Sequence, residues 1–150
     1  MRVRVSQPTL LSLCRAAKGF ATAKSTIAEL RGLRLECFED AEGGCIVVSG
    51  TDLRAGLRIW GAAVVEELGV VVVDAEAFTE FVSHLDNLAV IDLVVERNRL
   101  VATARQAKAS FALLDLSRYP DGPDDRGDAM LTATAGELAS MLNHAVRFAS

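Results

Sequence analysis

The sequence of 150 residues has few aromatic side chains and no long apolar run. Only 5% of its residues are Phe, Trp or Tyr, although 51% are hydrophobic, so its core has to consist mainly of Val, Leu, Ile and Ala. The apolar run at residues 70–73 is far shorter than the roughly 20 residues of a membrane-spanning helix. The alternating start MRVRVSQ also lacks the continuous apolar block of a signal peptide. These absences predict a cytoplasmic protein with no membrane partner.

Residue patterns that carry chemistry are also scarce. The cysteines, Cys14, Cys37 and Cys45, are odd in number and include no CxxC pair, so their spacing indicates neither a disulfide framework nor a metal site. His84 and His144 have no Ser, Cys or Asp partner in a nucleophile motif. The chain contains neither a P-loop nor a dinucleotide fingerprint. We therefore predict no catalytic residue, no metal and no cofactor, and we regard the protein as a non-enzyme.

Asp52 is the carboxylate most easily mistaken for a catalytic group. It follows Gly50 and Thr51 in a turn between two predicted strands. Side chains of this kind commonly bond backbone N–H groups in turns. We therefore expect Asp52 and Thr51 to stabilise the backbone at a strand end.

One pattern occurs three times in the chain. Each copy begins with a short β-prone run and continues with apolar residues at helical spacing. Between the two parts stands a residue type that caps helices, and such a cap satisfies an otherwise unpaired N–H group. The copies, with their caps, are residues 3–17 with Ser6, residues 71–85 with Asp74, and residues 131–145 with Thr134. Each copy predicts a strand followed by an amphipathic helix.

Three alternating segments follow each of the first two predicted helices, and alternation with turn residues between is typical of an antiparallel meander. The predicted strands after the first helix are 30–39, 45–49 and 55–65, and those after the second helix are 90–96, 100–105 and 109–115. Repetition of a whole supersecondary unit is a strong indication of fold. The predicted class is α+β, with a duplicated βαβββ unit whose two helices pack on antiparallel sheets.

The composition changes sharply at residues 119–128, YPDGPDDRGD. This segment holds two of the three prolines, four aspartates and no aliphatic side chain, as expected of a solvated linker. We therefore predict a first domain at 1–119, with halves at about 1–66 and 67–119, and a linker at 120–128. Residues 129–150 then form the strand-helix start of a second domain.

Five segments resemble the bacterial DNA polymerase III β subunit, the sliding clamp, in its N-terminal domain and the start of its second domain. They are MRVRVSQPTLLSLCRAA at the start, VVSGTDLRAGLRI at 47–59, VVVDAEAFTEFVSHL at 71–85, ASFALLDLSRYPDGPD at 109–124 and LTATAGELASMLNHAVRFAS at 131–150. The resemblance implies the DNA clamp fold and a ring of three-domain subunits. Such a ring is a processivity factor in DNA replication, because it encircles double-stranded DNA and tethers the polymerase without sequence readout or catalysis.

The resemblance also bears on partners. In the family the replicative polymerase and the clamp loader bind a peptide pocket formed by later segments, which this sequence lacks. We therefore expect a truncated or short form of a clamp, with only weak, non-specific affinity for double-stranded DNA. The alternative is a short clamp-like interaction protein that self-assembles into a homo-oligomer or caps another clamp and does not encircle DNA.

Four basic residues are candidates for contact with DNA, and they are Arg15, Lys18, Lys24 and Arg147. The resemblance places Lys24 where clamps carry a basic residue that touches DNA. The other reading is that these are ordinary solvated charges. A net charge of −4 argues against a surface that is basic throughout, and Glu76 and Glu80 on the second helix would repel phosphate.

The resemblance also identifies a candidate subunit interface. Phe111 and Leu113, preceded by Lys108, occupy the strand through which a clamp's first domain meets the next subunit. A period of two puts Phe111 and Leu113 on the same face of that strand. They therefore either fill the domain core or form the apolar centre of an interface, and the sequence leaves both possibilities open.

Overall fold

The computed structural model describes residues 1–121 and 135–148, and in the second range it describes the side chains of residues 136–140, 142 and 143. The strands are β1 (Arg2–Ser6), β2 (Gly32–Asp40), β3 (Gly43–Thr51), β4 (Gly56–Ala62), β5 (Val64–Glu67), β6 (Gly69–Asp74), β7 (Val90–Glu96), β8 (Arg99–Ala104) and β9 (Ala107–Ala112). The helices are α1 (Gln7–Lys18), α2 (Ala75–Ser83) and α3 (Ala135–Phe148). Short 3₁₀ turns lie at Ala28–Arg31 and Leu116–Arg118.

The strands form two antiparallel sheets in which the two βαβββ units exchange their first strands. One sheet has the order β5-β1-β7-β8-β9 and the other the order β4-β3-β2-β6. Strand β1 therefore pairs with the second unit, with Val3 opposite Leu93. Strand β6 pairs with the first unit, with Val71 opposite Leu35. This exchange interlocks the two units.

The two sheets meet at both of their flanks. Strands β4 and β5 are separated only by Ala63, whose N–H donates to the Gly44 carbonyl at 3.0 Å. On the other flank the N–H of Leu114 donates to the carbonyl of Val72 at 2.8 Å. Within the described residues β4 pairs only with β3, and β9 pairs only with β8. Strands β4 and β9 are therefore edge strands, each with one unpaired side.

Both helices of the repeated unit begin at the predicted caps. The Ser6 side chain accepts from the N–H of Thr9 at 3.3 Å, and Asp74 accepts from the N–H of Ala77 at 2.9 Å. Helix α1 contacts α2 as well as β3 and β4. The apolar sides of α1 and α2 are buried in a single core together with the inner faces of both sheets. The residues that the two helices contribute to this core include Leu10, Leu13, Cys14, Ala17, Phe78 and Val82.

A buried glutamine links the two helices. The side-chain amide of Gln7, at the start of α1, donates to the carbonyl of Val82 near the end of α2 at 2.9 Å. The backbone N–H of Gln7 donates to the Ala89 carbonyl at 2.9 Å. These bonds satisfy polar groups that would otherwise be costly to bury, so they hold α1 and α2 side by side.

The α+β architecture confirms the predicted order of elements, with differences at some boundaries. The strand predicted at 55–65 is divided into β4 and β5, and the strand predicted at 109–115 begins and ends earlier as β9. After β9 the N–H of Leu114 turns to the carbonyl of Val72, and the Asp115 carboxylate then accepts from the N–H of Ser117 at 2.9 Å and forms a turn. The third helix is present as α3, whereas its predicted cap Thr134 and the strand before it lie outside the described residues.

Candidate functional site

The outward face of α1 and α2 carries charges of both signs. Lys18 is half-buried, and its Nζ lies 2.7 Å from Oε2 of Glu76. Arg15 is exposed one turn earlier and has no side-chain partner in the part of the chain that the structure describes. Because Glu76 neutralises Lys18, the available positive charge on α1 is that of Arg15.

Lys24 lies in the loop between α1 and the first 3₁₀ turn. The loop is closed by bonds from the N–H of Thr22 to the Leu30 carbonyl at 2.8 Å and from the N–H of Ser25 to the Thr22 carbonyl at 2.9 Å. The Lys24 side chain is exposed and has no partner among the described residues. The backbone is therefore held in place while the ammonium group is available to a ligand.

Helix α2 adds negative charge to the same surface. Glu80 is exposed, as is Glu76. At the end of the helix, Nδ1 of His84 lies 2.8 Å from the Glu80 carbonyl. A carbonyl oxygen only accepts, so Nδ1 donates and Nε2 is left as the second ring nitrogen. The candidate side chains on α1, α2 and the Lys24 loop thus comprise three positive charges, on Arg15, Lys18 and Lys24, and two negative charges, on Glu76 and Glu80.

Arg147, the fourth predicted basic residue, lies in α3. The backbone of this helix is described, but the side chain of Arg147 lies outside the described part. The structure therefore describes the side chains of three of the four predicted residues, and a contact of any of the four with DNA stays a prediction.

The interface candidates lie on and just after the edge strand β9. The ring of Phe111 makes edge contacts with Phe78 at 5.2 Å and with Phe81 at 5.7 Å between centroids. Leu113 is partly buried against the same core. Lys108 is exposed on the opposite face of the strand. The Phe111 ring therefore packs against the core while remaining partly exposed, and the free edge of β9 and Lys108 are also exposed.

The turn between β3 and β4 is built as expected from its side chains. Oδ1 of Asp52 accepts from the N–H groups of Arg54 at 2.8 Å and Ala55 at 2.7 Å, and these bonds lower the pKa of Asp52. The Thr51 hydroxyl accepts from the N–H of Leu53 at 3.1 Å and donates to the Ala55 carbonyl at 3.0 Å. The structural role predicted for Asp52 and Thr51 is confirmed.

Sequence reasoning missed the consequence of this turn for Leu53. The turn holds Leu53 at φ 75°, in the left-handed region, with 63% of the residue exposed. The available signal was a leucine at a turn position of the kind usually occupied by glycine or asparagine.

Other reactive or metal-binding groups are scarce among the described residues. They contain no group of three His, Cys, Asp or Glu side chains arranged to hold a metal ion. The thiols of Cys14, Cys37 and Cys45 are buried, and burial raises the pKa of each. None of the helices in the described ranges is long and apolar enough to cross a membrane.

Residues 1–123 match the family model for the N-terminal domain of the DNA polymerase III beta subunit. The chain belongs to this family. The resemblance of the sequence segments to the bacterial sliding clamp is thereby confirmed. A search of the curated proteins found no match to this β-subunit sequence.

Solved structures of the family share the fold of this β-subunit chain. The Caulobacter crescentus pol III beta structure aligns with a TM-score of 0.84 and 21% identity, and the DNA polymerase III subunit beta of Pseudomonas aeruginosa with 0.79 and 19%. Each alignment covers 95% of this chain and 38% of that chain. The Helicobacter pylori beta clamp bound to a DNA ligase peptide aligns with a TM-score of 0.73 and 20% identity over 82% of this chain and 33% of that one. The predicted clamp fold is therefore confirmed, and the chain spans well under half the length of these relatives.

Proposed function

We propose that this chain acts as the first domain of a DNA sliding clamp, a processivity factor that encircles double-stranded DNA and tethers a replicative polymerase in the cytoplasm. In this role the domain reads no sequence and catalyses no reaction. Residues 1–119 form the domain, with halves at about 1–66 and 67–119, residues 120–128 form the linker, and residues 129–150 begin the second domain. The family match over residues 1–123 supports the clamp assignment.

The observation that carries the proposal is the helical face. Helices α1 and α2 lie side by side, with Arg15 and Lys24 unpaired within the described residues and Lys18 held by Glu76. Affinity for DNA grows with the number of neutralised phosphates. A surface with few available cations therefore supports a contact that is weak enough to slide, and this is what a clamp needs.

The sheet edges supply a means of joining this domain to its neighbours. An edge strand presents unpaired N–H and C=O groups that readily pair with another chain. Strands β4 and β9 are such edges at opposite ends of the two sheets. We propose that β9, which carries the exposed Lys108, joins another clamp domain, while Phe111 and Leu113 support the strand from the core side.

The DNA contact is tested by fluorescence anisotropy of a labelled duplex titrated with the full chain over a series of salt concentrations. Lys24→Ala and Arg15→Ala should each weaken binding and reduce the slope of log K against log salt by about 1, as expected for the loss of one phosphate contact. Glu76→Gln should strengthen binding, because it removes a negative charge and releases Lys18.

Arg97→Ala is the matched control, since Arg97 is exposed on the β7–β8 turn and belongs neither to α1 or α2 nor to the Lys24 loop. If Arg97→Ala weakens binding as much as Lys24→Ala, the contact is not confined to the proposed face. If Glu76→Gln weakens binding, the assignment of the face to DNA is wrong.

The edge contact is tested by the molar mass of the full chain in light scattering over a range of protein concentration. Self-association through β9 should be reduced by Lys108→Glu and unaffected by Arg97→Glu. A mass near 16.0 kDa at every concentration would show that the chain does not self-assemble. The same result would remove the alternative in which the chain works as a self-assembling interaction protein.

A further inference from the structure

A pocket of about 640 Å³ lies beside the β3–β4 turn, on a surface that neither the DNA contact nor the β9 contact uses. Its walls come from strands β2, β3 and β4 and from the residues after the second 3₁₀ turn. The lining residues that matter for binding are Arg34, Leu53, Arg54, Leu57, Arg58 and Tyr119. A pocket of this size holds several side chains of a ligand.

The apolar part of the pocket is held in place by a strained backbone conformation at Leu53. Thr51 and Asp52 hold the turn so that Leu53 has a φ of 75° and a largely exposed side chain. The left-handed region is unfavourable for a leucine, and strained residues of this kind cluster at ligand sites. Tyr119 belongs to the same lining, where it is buried and its hydroxyl donates to the Ser49 carbonyl at 3.2 Å, so its ring is held in place.

The charged part of the pocket has one cation in excess. Oε2 of Glu36 lies 3.0 Å from Nη1 of Arg34 and 3.2 Å from Nη2 of Arg58, so one carboxylate serves two guanidinium groups. Arg54 makes no ion pair among the described residues, although its charge contributes to the lowered pKa of the neighbouring Asp52, which lies outside the pocket lining. Asp121 is the second carboxylate of the lining. The three arginines therefore face two carboxylates, in a protein whose net charge is −4.

From this juxtaposition we propose that the pocket binds an acidic peptide segment of another protein, with an apolar side chain against Leu53 and Leu57 and a neighbouring carboxylate on Arg54. Charge complementarity selects this occupant, since an acidic side chain matches the free guanidinium. A nucleic acid is disfavoured, because its backbone would bring a row of phosphates against Glu36 and Asp121, whereas the peptide places a single carboxylate on Arg54 and an apolar side chain on the exposed Leu53. The site does not depend on ring formation or on the DNA contact.

The test uses fluorescence anisotropy of a fluorescein-labelled hexapeptide, Ser-Glu-Leu-Glu-Val-Gly, titrated with the full chain. A second hexapeptide, in which glutamine replaces both glutamates, should bind at least about fivefold more weakly if a charge-assisted contact is made. Arg54→Gln should weaken binding of the acidic peptide by about fivefold and abolish the difference between the two peptides. Arg97→Gln, on an exposed turn outside the pocket, should change neither value.

Leu53→Gly tests the apolar contact. It should weaken the binding of both peptides by about tenfold, which is the effect expected from losing one apolar side chain at the contact. Glycine accepts a positive φ without strain, so thermal unfolding followed by circular dichroism should show that this variant is at least as stable as the parent. Loss of peptide binding in a fully folded Leu53→Gly variant therefore supports the proposal.

Four results would overturn it. They are no binding up to about 1 mM protein, equal binding of the two peptides, equal effects of Arg54→Gln and Arg97→Gln, and displacement of the probe by a DNA duplex at lower concentration than by unlabelled peptide. Displacement at still lower concentration by a synthetic peptide of residues 122–128, GPDDRGD, would assign the pocket to the chain's own acidic segment and would also overturn it.

Discussion

Replacing Phe111 with alanine should destabilise the domain, although Phe111 lies on an edge strand. Its ring makes edge contacts with Phe78, at an interplanar angle of 84°, and with Phe81, at 65°. Replacing a core phenylalanine with alanine costs about 3 to 5 kcal/mol. Because Phe111 is only partly buried, we expect Phe111→Ala to lower the free energy of unfolding by an amount near the lower end of this range, about 3 kcal/mol.

The assay is urea unfolding followed by circular dichroism. Fluorescence would be a poor reporter, because Trp60 is already 67% exposed in the folded protein. For a typical urea dependence of about 2 kcal/mol per molar, the midpoint should fall by about 1.5 M. Lys108→Ala is the matched control on the same strand, and as an exposed substitution it should change the free energy of unfolding by less than about 0.5 kcal/mol.

The reasoning would be refuted if Phe111→Ala unfolded at the same urea concentration as the parent. If that variant also lost a higher solution mass that Lys108→Ala retained, the ring would belong to an intermolecular contact. Phe111→Leu separates size from aromatic geometry, since it keeps most of the buried volume and loses both ring contacts.

Three further predictions concern the strand ends and the core. Gly50→Ala should lower the free energy of unfolding by about 2 kcal/mol or more, because a Cβ there overlaps the Ala17 carbonyl oxygen. In the same urea assay Gly19→Ala should have a much smaller effect, because a Cβ there makes only ordinary contact. Asp52→Asn should lower the urea midpoint at neutral pH. Since backbone bonds lower the pKa of Asp52 from its ordinary 3.8, this difference from the parent should shrink as pH falls through and below that value, and a constant difference would contradict the assignment. Burial raises the pKa of Cys14 to about 12. Its thiol should therefore react with an aromatic disulfide reagent at pH 8 only as fast as the domain opens. A reaction rate that does not change with urea concentration would argue against a closed core.

The parts of the fold that sequence could predict depend on local signals. A helix start needs a capping residue and an apolar period within a few positions, and both signals are present at Ser6 and Asp74. The Asp52 turn was predictable for the same reason, since its donors are two and three residues away. Repetition of these local signals predicted the duplicated unit.

The remaining features depend on contacts between distant parts of the chain. The period of two showed that Phe111 and Leu113 share a face, but only the packing of α2 against β9 shows which face is buried. The ion pair of Lys18 with Glu76 joins two helices from different units, so no local pattern marks Lys18 as neutralised. The pocket beside Leu53 was likewise hidden, because Tyr119 reaches Ser49 across 70 positions of sequence.

The exchange of first strands between the two units has a consequence for synthesis on the ribosome. Val3 lies between Val65 on one side and Leu93 on the other, so the first strand to emerge is among the last to be completed. Until β6 emerges, the β2-β3-β4 meander has an open edge at β2. Pairings of such long sequence separation form slowly. The nascent first unit therefore presents an unpaired sheet edge that a chaperone, or another nascent chain, can occupy before β6 does.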